Sequence, residues 1–525
     1  MNLVGMLALG ASFLLQNGVS IQSGTISQKS EARDCAINAA NVAGNLTVVN
    51  CPGIPAKALE GLNRELTKTR LSADQARRQA EEWRQKYDGL QALLSSAGLS
   101  QLLIQKASSY LAQGDLTQAS AALDEALKQN DQEVATAAAA HYFRAKLAEL
   151  EFDAKTYGEQ LGVAHRLVPN AVIISNEYGI FLTVHGHPLE AESIFKELID
   201  DATQAKVVDM QAASLINASG ALKFQGRLSE AKEDLLEAAP LWEVSFRQHK
   251  PNALNNEAVA FSGAAEIALL QQHSEEAKEL IGKAVALAKS NLTQEGSVPS
   301  SQQDRLNLAD FLLTASEIYT DVGDLDAAFS LSEEAYENAK QITAPDLANR
   351  GKGLTGNAKT SESLITARRM NRTLALKYSD DAVAILDPMK DTEGDRFKGD
   401  LANALFVRGA VQEDMGQWSN ALASFERSEA LNNELQKAGQ SQYKIQQAKA
   451  SWYAIGAALN SGDRGAAEEY ARKAASLVDG LPPDFVGLHT QILAECAGAL
   501  NILGDHAEAA EVIRKRDRLV LAPKQ

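Results

Sequence analysis

The 525-residue chain is too long for one compact core and long enough for several domains or one extended array. Its 68 acidic and 51 basic residues leave a formal net charge of −17, a field that repels phosphate backbones and argues against nucleic acid as a direct ligand. Apolar residues make up 45% but aromatics only 6%, and the abundant Ala, Leu, Glu, Lys, Arg and Gln lose little side-chain freedom in helices, so an all-α fold is expected.

The first predicted element, residues 1–22, is a signal peptide or apolar anchor. Leu3 to Leu15 is an apolar run too short to span a bilayer, with small residues at Gly18 and Ser20 for cleavage, although no charge precedes Lys29. Periplasm or cell envelope is the expected location and cytoplasm the alternative; membrane association would run through residues 3–15 only. Residues 33–54 differ from all that follows. Leu46 to Val49 is strand-like and Gly44-Asn45 signals a turn, so a small hairpin closed by a Cys35–Cys51 disulfide is expected if the chain is exported. Cys496 sits alone in a helical stretch as a small core residue.

A heptad segment occupies residues 57–96. Leu59, Leu62, Leu66, Thr69, Ala73, Ala76, Ala80, Trp83, Tyr87, Leu90 and Leu94 alternate spacings of three and four, the a/d seam of a coiled coil. Self-association into a homo-oligomer through residues 59–94 is the expected use; packing of the helix on its own array is the alternative.

Residues 100–520 repeat one word. The clearest copy is Leu103-x3-Ala107-x2-Tyr110-x3-Gly114-Asp115-Leu116-x2-Ala119-x3-Leu123-x2-Ala126. Large residues fill the inward face, Ala107 and Ala119 are small where two helices cross, and Gly114 ends the first helix in a left-handed cap. The turn glycine returns as Gly186, Gly226, Gly323, Gly416, Gly462 and Gly504, followed by Ala191, Ala231, Ala328, Ala421, Ala467 and Ala509. Weaker copies centre on Ala145, Leu161, Ala164 and Pro169, on Phe261, Ala265 and Ala277, and on Ala382 and Leu386 in a degenerate unit over 361–387. Together they predict about ten helix pairs. Ser290 to Asp304 and Ala344 to Ser361, rich in Ser, Gln, Gly and Pro, are expected loops.

This pattern resembles the tetratricopeptide repeat. The later units, 46 residues from Gly416 to Gly462 and 42 from Gly462 to Gly504, resemble the long-helix repeats of kinesin light chain. The whole chain is similar to a bacterial group of tetratricopeptide proteins that carries a Cys-flanked segment before its repeats. Cys35 through Cys51, Ala80-Glu81-Glu82-Trp83-Arg84-Gln85-Lys86-Tyr87 and His141-Tyr142-Phe143-Arg144-Ala145 carry that likeness. It implies a helical-repeat solenoid more than an activity.

No enzymatic signature stands out: there is no glycine-rich phosphate loop, no His-Glu-x2-His and no Cys-x2-Cys. His185-Gly186-His187 falls in a repeat turn without a third metal ligand, so no metal, cofactor or catalytic residue is assigned. The candidate site is the concave wall, formed by the first helix of each pair. Aligning the units places Tyr142, Lys146, Asn176, Lys223, Phe224, Glu317, Asp321, Phe406, Trp452 and Asn460 there. Asn217 joins them through the resemblance, because an asparagine near that position contacts peptide backbone in related long-helix arrays. Apolar groups mixed with Asn, Lys and acids suit an extended peptide or partner protein. The expected function is an interaction scaffold; the alternative is a cytoplasmic regulatory or sensor protein that passes the binding event to another factor.

Overall fold

The computed structural model describes residues 36–39, 46–51, 54–68, 79–80, 83–91, 102–129, 134–151, 153–250, 252–293, 302–344, 347–390, 396–437, 443–480 and 486–521. The apolar run at 3–15, Cys35 and the seam positions 69, 73, 76 and 94 lie outside the described residues.

The chain enters through an antiparallel hairpin, β1 (Ala36–Ala39) and β2 (Leu46–Asn50), with an irregularity in register between Ala36 and Ile37. Cys51 follows, buried and disulfide-bonded. Helix α1 (Leu59–Lys68) packs on β2, and residues 83–91 are again helical.

The heptad seam turns inward. Leu59, Leu62, Leu66, Ala80, Trp83, Tyr87 and Leu90 are all buried and share one apolar core with Ala107, Leu111, Leu123, Phe143 and Leu147 of the first repeats. The Trp83 indole N–H donates to the Leu150 carbonyl at 3.0 Å, and the Tyr87 hydroxyl donates to the Leu111 carbonyl. The seam's described residues are thus covered by the chain's own array, the alternative use of the heptad stripe. The heptad pattern records an apolar stripe, and the first repeats present an unsatisfied apolar end that caps it at no translational cost.

Ten helix pairs follow among the described residues. They are α2 (Leu102–Ala112) with α3 (Leu116–Gln129), α4 (Val134–Leu150) with α5 (Ala154–Leu167), and α6 (Val172–Val184) with α7 (Pro188–Ala205). Next come α8 (Val208–Phe224) with α9 (Leu228–Arg247), α10 (Ala253–Leu270) with α11 (Ser274–Thr293), and α12 (Gln302–Val322) with α13 (Leu325–Lys340). The last four are α14 (Ala348–Arg368) with α15 (Arg372–Leu386), α16 (Arg396–Asp414) with α17 (Trp418–Lys437), α18 (Lys444–Ser461) with α19 (Arg464–Leu477), and α20 (Val486–Leu503) with α21 (His506–Leu521).

One local device makes all ten turns. A backbone N–H reaches back five residues to a carbonyl of the first helix, from Asp115 to Tyr110 at 2.9 Å in the first pair through Asp505 to Leu500 at 2.9 Å in the last. This is the outer bond of a Schellman cap, which requires a left-handed residue just before the donor. Gly114, Gly186, Gly226, Gly323, Gly416, Gly462 and Gly504 supply it, with φ between 72° and 98°. Gln272 and Met370 supply it in two of the weaker copies, at φ 64° and 63°. Asp115, Asp153, Asp324, Asn371, Asp463 and Asp505 then cap the second helix, each accepting from the backbone N–H three residues on.

Of the second expected loop, Ala344 to Ser361, the part from Ala348 onward is instead the start of α14. Its glycines serve packing. A Cβ on Gly353 would meet Phe397 Cε1 at 2.4 Å, and one on Gly356 would meet Leu386 Cγ at 2.5 Å. Neighbouring helices sit directly on the α14 backbone there, so residues that weaken an isolated helix are retained for close approach. Of the other expected loop, Ser290 to Thr293 belongs to α11 and Gln302 to Asp304 to α12.

Candidate binding groove

Successive first helices from α6 to α20 pack directly on one another as well as on their own partners; among the described residues no two second helices do so to comparable extent. First helices are thus closer together and form the inside of the curve.

The early part of this wall carries a paired polar network. Glu177 on α6 accepts from the Tyr142 hydroxyl at 3.0 Å and from Lys146 Nζ at 3.4 Å, both on α4, and from the Tyr157 hydroxyl on α5 at 3.4 Å. Lys146 also meets Glu149 at 2.8 Å, and Glu149 meets Lys86 at 3.3 Å. Burial, with the nearby Glu177 charge, pushes the Tyr142 phenol far above its ordinary range. Next along the wall, the Asn217 side-chain amide donates to Asn176 Oδ1 at 2.7 Å. Lys223 then pairs with Glu266 of α10 at 2.8 Å. Tyr142 and Asn176 are buried, Lys146, Asn217, Lys223 and Phe224 half-buried.

Phe406 is corrected from wall to core. It is 7% exposed, with ring centroids 5.6 Å from Phe425 and 4.9 Å from Tyr453, because α16 turns this residue toward its own partner helix and α18. Trp452 stays half-buried, its ring 5.0 Å from that of Tyr453, and Asn460 is exposed and donates to the Gly456 carbonyl.

The later part of the wall is built differently. Asp321 on α12 pairs with Arg368 on α14 at 2.8 Å, and Arg368 also donates to the Thr320 carbonyl. Between α12, α14 and α16 lies a small opening lined by Asn307, Asp310, Arg350, Asn357, Phe397 and Asp400 among others. Glu317 is pushed up to about 8, first by loss of water and then by Glu266, Asp321, Asp310 and Asp400. Those carboxylates come from three first helices, α10, α12 and α16. Lys449 on α18 is drawn down to about 8 by burial, opposed by attraction to Asp321. Burial likewise raises Glu413, near the end of α16, to about 7, with Asp414 adding repulsion.

Sequence alignment of the units missed Asp310, Arg368, Asp400, Lys449 and Glu177 as wall residues. A signal existed for some of them. Asp310, Asn357 and Lys449 each stand thirteen residues before the left-handed residue of their pair, Gly323, Met370 and Gly462. Among the described residues no group of His, Cys, Asp and Glu is arranged to hold a metal ion, and no helix is long and apolar enough to cross a membrane.

A solenoid of capped helix hairpins with a polar inner wall defines a class of protein-interaction folds. Residues 100–133 match the tetratricopeptide repeat family, and the same turn recurs through all ten pairs, so the fold is a tetratricopeptide-type helical solenoid. Among solved structures it is similar to BtubC from P. vanneervenii, at 14% identity over 48% of this chain and 93% of that one, TM-score 0.38. It is also similar to a Rap protein complexed with competence and sporulation factor, at 14% identity, 84% and 98% coverage and TM-score 0.41. A signal-transduction ATPase with a tetratricopeptide repeat sensor from Pyrococcus horikoshii aligns at 10% identity, 87% and 64% coverage and TM-score 0.43. No curated protein matches the chain.

Proposed function

We propose that the chain is an interaction scaffold that holds an extended peptide, or an extended segment of a partner protein, along its concave wall. The observation that carries this reading is the direct stacking of first helices from α6 to α20, which makes one continuous inner surface. Along it, amide side chains of the kind that can pair with a ligand's main chain (Asn217, Asn460) alternate with apolar anchors (Phe224, Trp452), a combination suited to an extended ligand. The role is binding, with the charged groups of the wall acting as recognition elements.

Affinity capture with the purified chain, comparing the parent with the Phe224→Ala/Trp452→Ala double variant, tests the reading. The parent retains a defined partner and the variant loses it; retention of the same partner by both would remove the concave wall from the function.

We further propose export, with Cys35 as the partner of Cys51. The disulfide on Cys51 supports it, since such bonds persist in oxidising compartments. Mass spectrometry of the mature, unreduced protein checks both points: a Cys35–Cys51 cross-linked peptide and loss of about the first 20 residues are expected. An intact Met1 start with free thiols favours the cytoplasmic sensor instead.

A further inference from the structure

We infer that Glu413 and the space left open at Gly456 form a subsite of the concave wall that takes a cationic side chain, Lys or Arg, of a bound peptide. This rests on the reading of the wall as a peptide groove and names a group that the groove selects.

The wall contains its own precedent. Lys223 stands three residues before the left-handed residue of its pair, Gly226, and Glu266 stands six before that of the next pair, Gln272. Their side chains meet at 2.8 Å between α8 and α10. Glu413 and Gly456 hold the same two positions on α16 and α18, three residues before Gly416 and six before Gly462. The geometry agrees, since a Cβ on Gly456 would lie 3.1 Å from Glu413 Oε1. Where the earlier joint closes an ion pair, this joint presents a carboxylate to a helix that offers no side chain.

Packing explains neither half. A glycine inside a helix weakens it. Gly409 of α16 is needed because a Cβ there would meet Phe425 Cε1 at 2.6 Å, whereas the Cβ on Gly456 would meet, among the described residues of other helices, the Glu413 oxygen alone within 4 Å. The Glu413 carboxylate makes no hydrogen bond or ion pair among the described residues. Arg372 goes to the exposed Asp414 beside it, at 3.9 Å. Glu413 and Gly456 are both half-buried, so a ligand can reach them. A carboxylate in that setting repels an anion and is completed by a charged donor. Burial raises Glu413 to about 7, and an arriving cation draws it back to the charged form. Trp452, one turn before Gly456 on the same face of α18, offers apolar surface to the stem of a long cationic side chain.

Three pools of hexapeptides test this on the immobilised full chain at pH 8, where Glu413 is ionised, with retention read by mass spectrometry. All are acetylated, amidated and random in uncharged residues except at one inner position, which is Lys, Arg or norleucine. The Lys or the Arg pool is retained at least about tenfold over the norleucine pool, and the stronger of the two identifies the cation. Glu413→Gln brings that ratio close to one and leaves norleucine retention unchanged. Gly456→Lys does the same by a different route, since it supplies the missing cation from within, and its thermal midpoint is no lower than the parent's. A variant that misfolds loses norleucine retention too, its melt shows it, and the other variant then decides. A cation preference that survives either substitution in a folded chain overturns the inference, because the acidic field of the whole molecule would then account for it. Equal retention of all three pools by the parent overturns it as well and leaves the groove. Retention of no pool by the parent overturns both.

Discussion

Around α4 to α6 the inner wall buries its charges in company: Glu177 takes three donors, and Lys146 is held between Glu177 and Glu149. Around α12 to α18 the same phase of the same kind of helix carries Glu317 and Lys449 without bonded partners among the described residues. A paired network contributes to holding successive repeats in register, whereas an unpaired one costs stability and keeps binding capacity. One wall thus has a paired end and an unpaired end.

The largest expected effect tests how firmly the paired end is anchored. Trp83→Ala removes an indole that bridges the N-terminal helix to α4, and should cost about 3–5 kcal/mol locally. Hydrogen exchange should show α2 to α4 opening first, since repeat arrays lose stability by neighbouring units. Sedimentation should give the same mass for parent and variant; dissociation of an oligomer would restore the seam to an intermolecular role.

The contrast itself is tested by one change made twice. Lys146→Met leaves Glu149 and Glu177 without their shared cation and should cost about 1.5–3 kcal/mol. Lys449→Met removes a buried charge that has no bonded partner and should be neutral or stabilising. Equal destabilisation by the two, measured by urea unfolding, would erase the difference between the ends.

A pH profile sharpens it further. Between pH 4.5 and 8 the folded chain keeps a proton on Glu317 that the unfolded chain has released, so stability falls as pH rises. Glu413, raised to about 7, acts in the same direction up to that pH. Between about 8 and 10.5 the unfolded chain keeps a proton on Lys449 that the folded chain lacks, so stability recovers. A minimum near pH 8 in chemical-denaturation midpoints is expected, and it should flatten in the Glu317→Gln/Lys449→Met double variant.

The smallest effect concerns the turns common to both ends. Gly226→Ala and Gly462→Ala each place a Cβ at φ 80° and 86° and should cost about 1–2 kcal/mol, equally in the two regions. A much larger loss at Gly462 would mean that the unpaired end is held by its turn geometry more than by packing.

Much of this architecture was legible in the sequence. The hairpin strands, the turn glycines and about ten pairs follow from contacts within a few residues: a Schellman cap spans six residues, and an apolar face repeats every three or four. The candidate wall was legible in part, because Lys223, Glu317, Asp321 and Trp452 keep phase with their turn residues. Phe406 misled, since phase alone cannot say toward which neighbour a helix leans.

Three matters were decided only by the tertiary structure. Gly351, Gly353 and Gly356 look like a loop until Phe397 and Leu386 are seen resting on their helix. The heptad stripe names no partner until the first repeats cover it. The approach of Arg368 to Asp321 across two helix pairs depends on small rotations accumulated from pair to pair, and no local pattern encodes that sum. Sequence by itself determined the repeating unit, because that unit is made of short-range bonds; the curvature that brings distant units' charges into one lumen arises from packing between units.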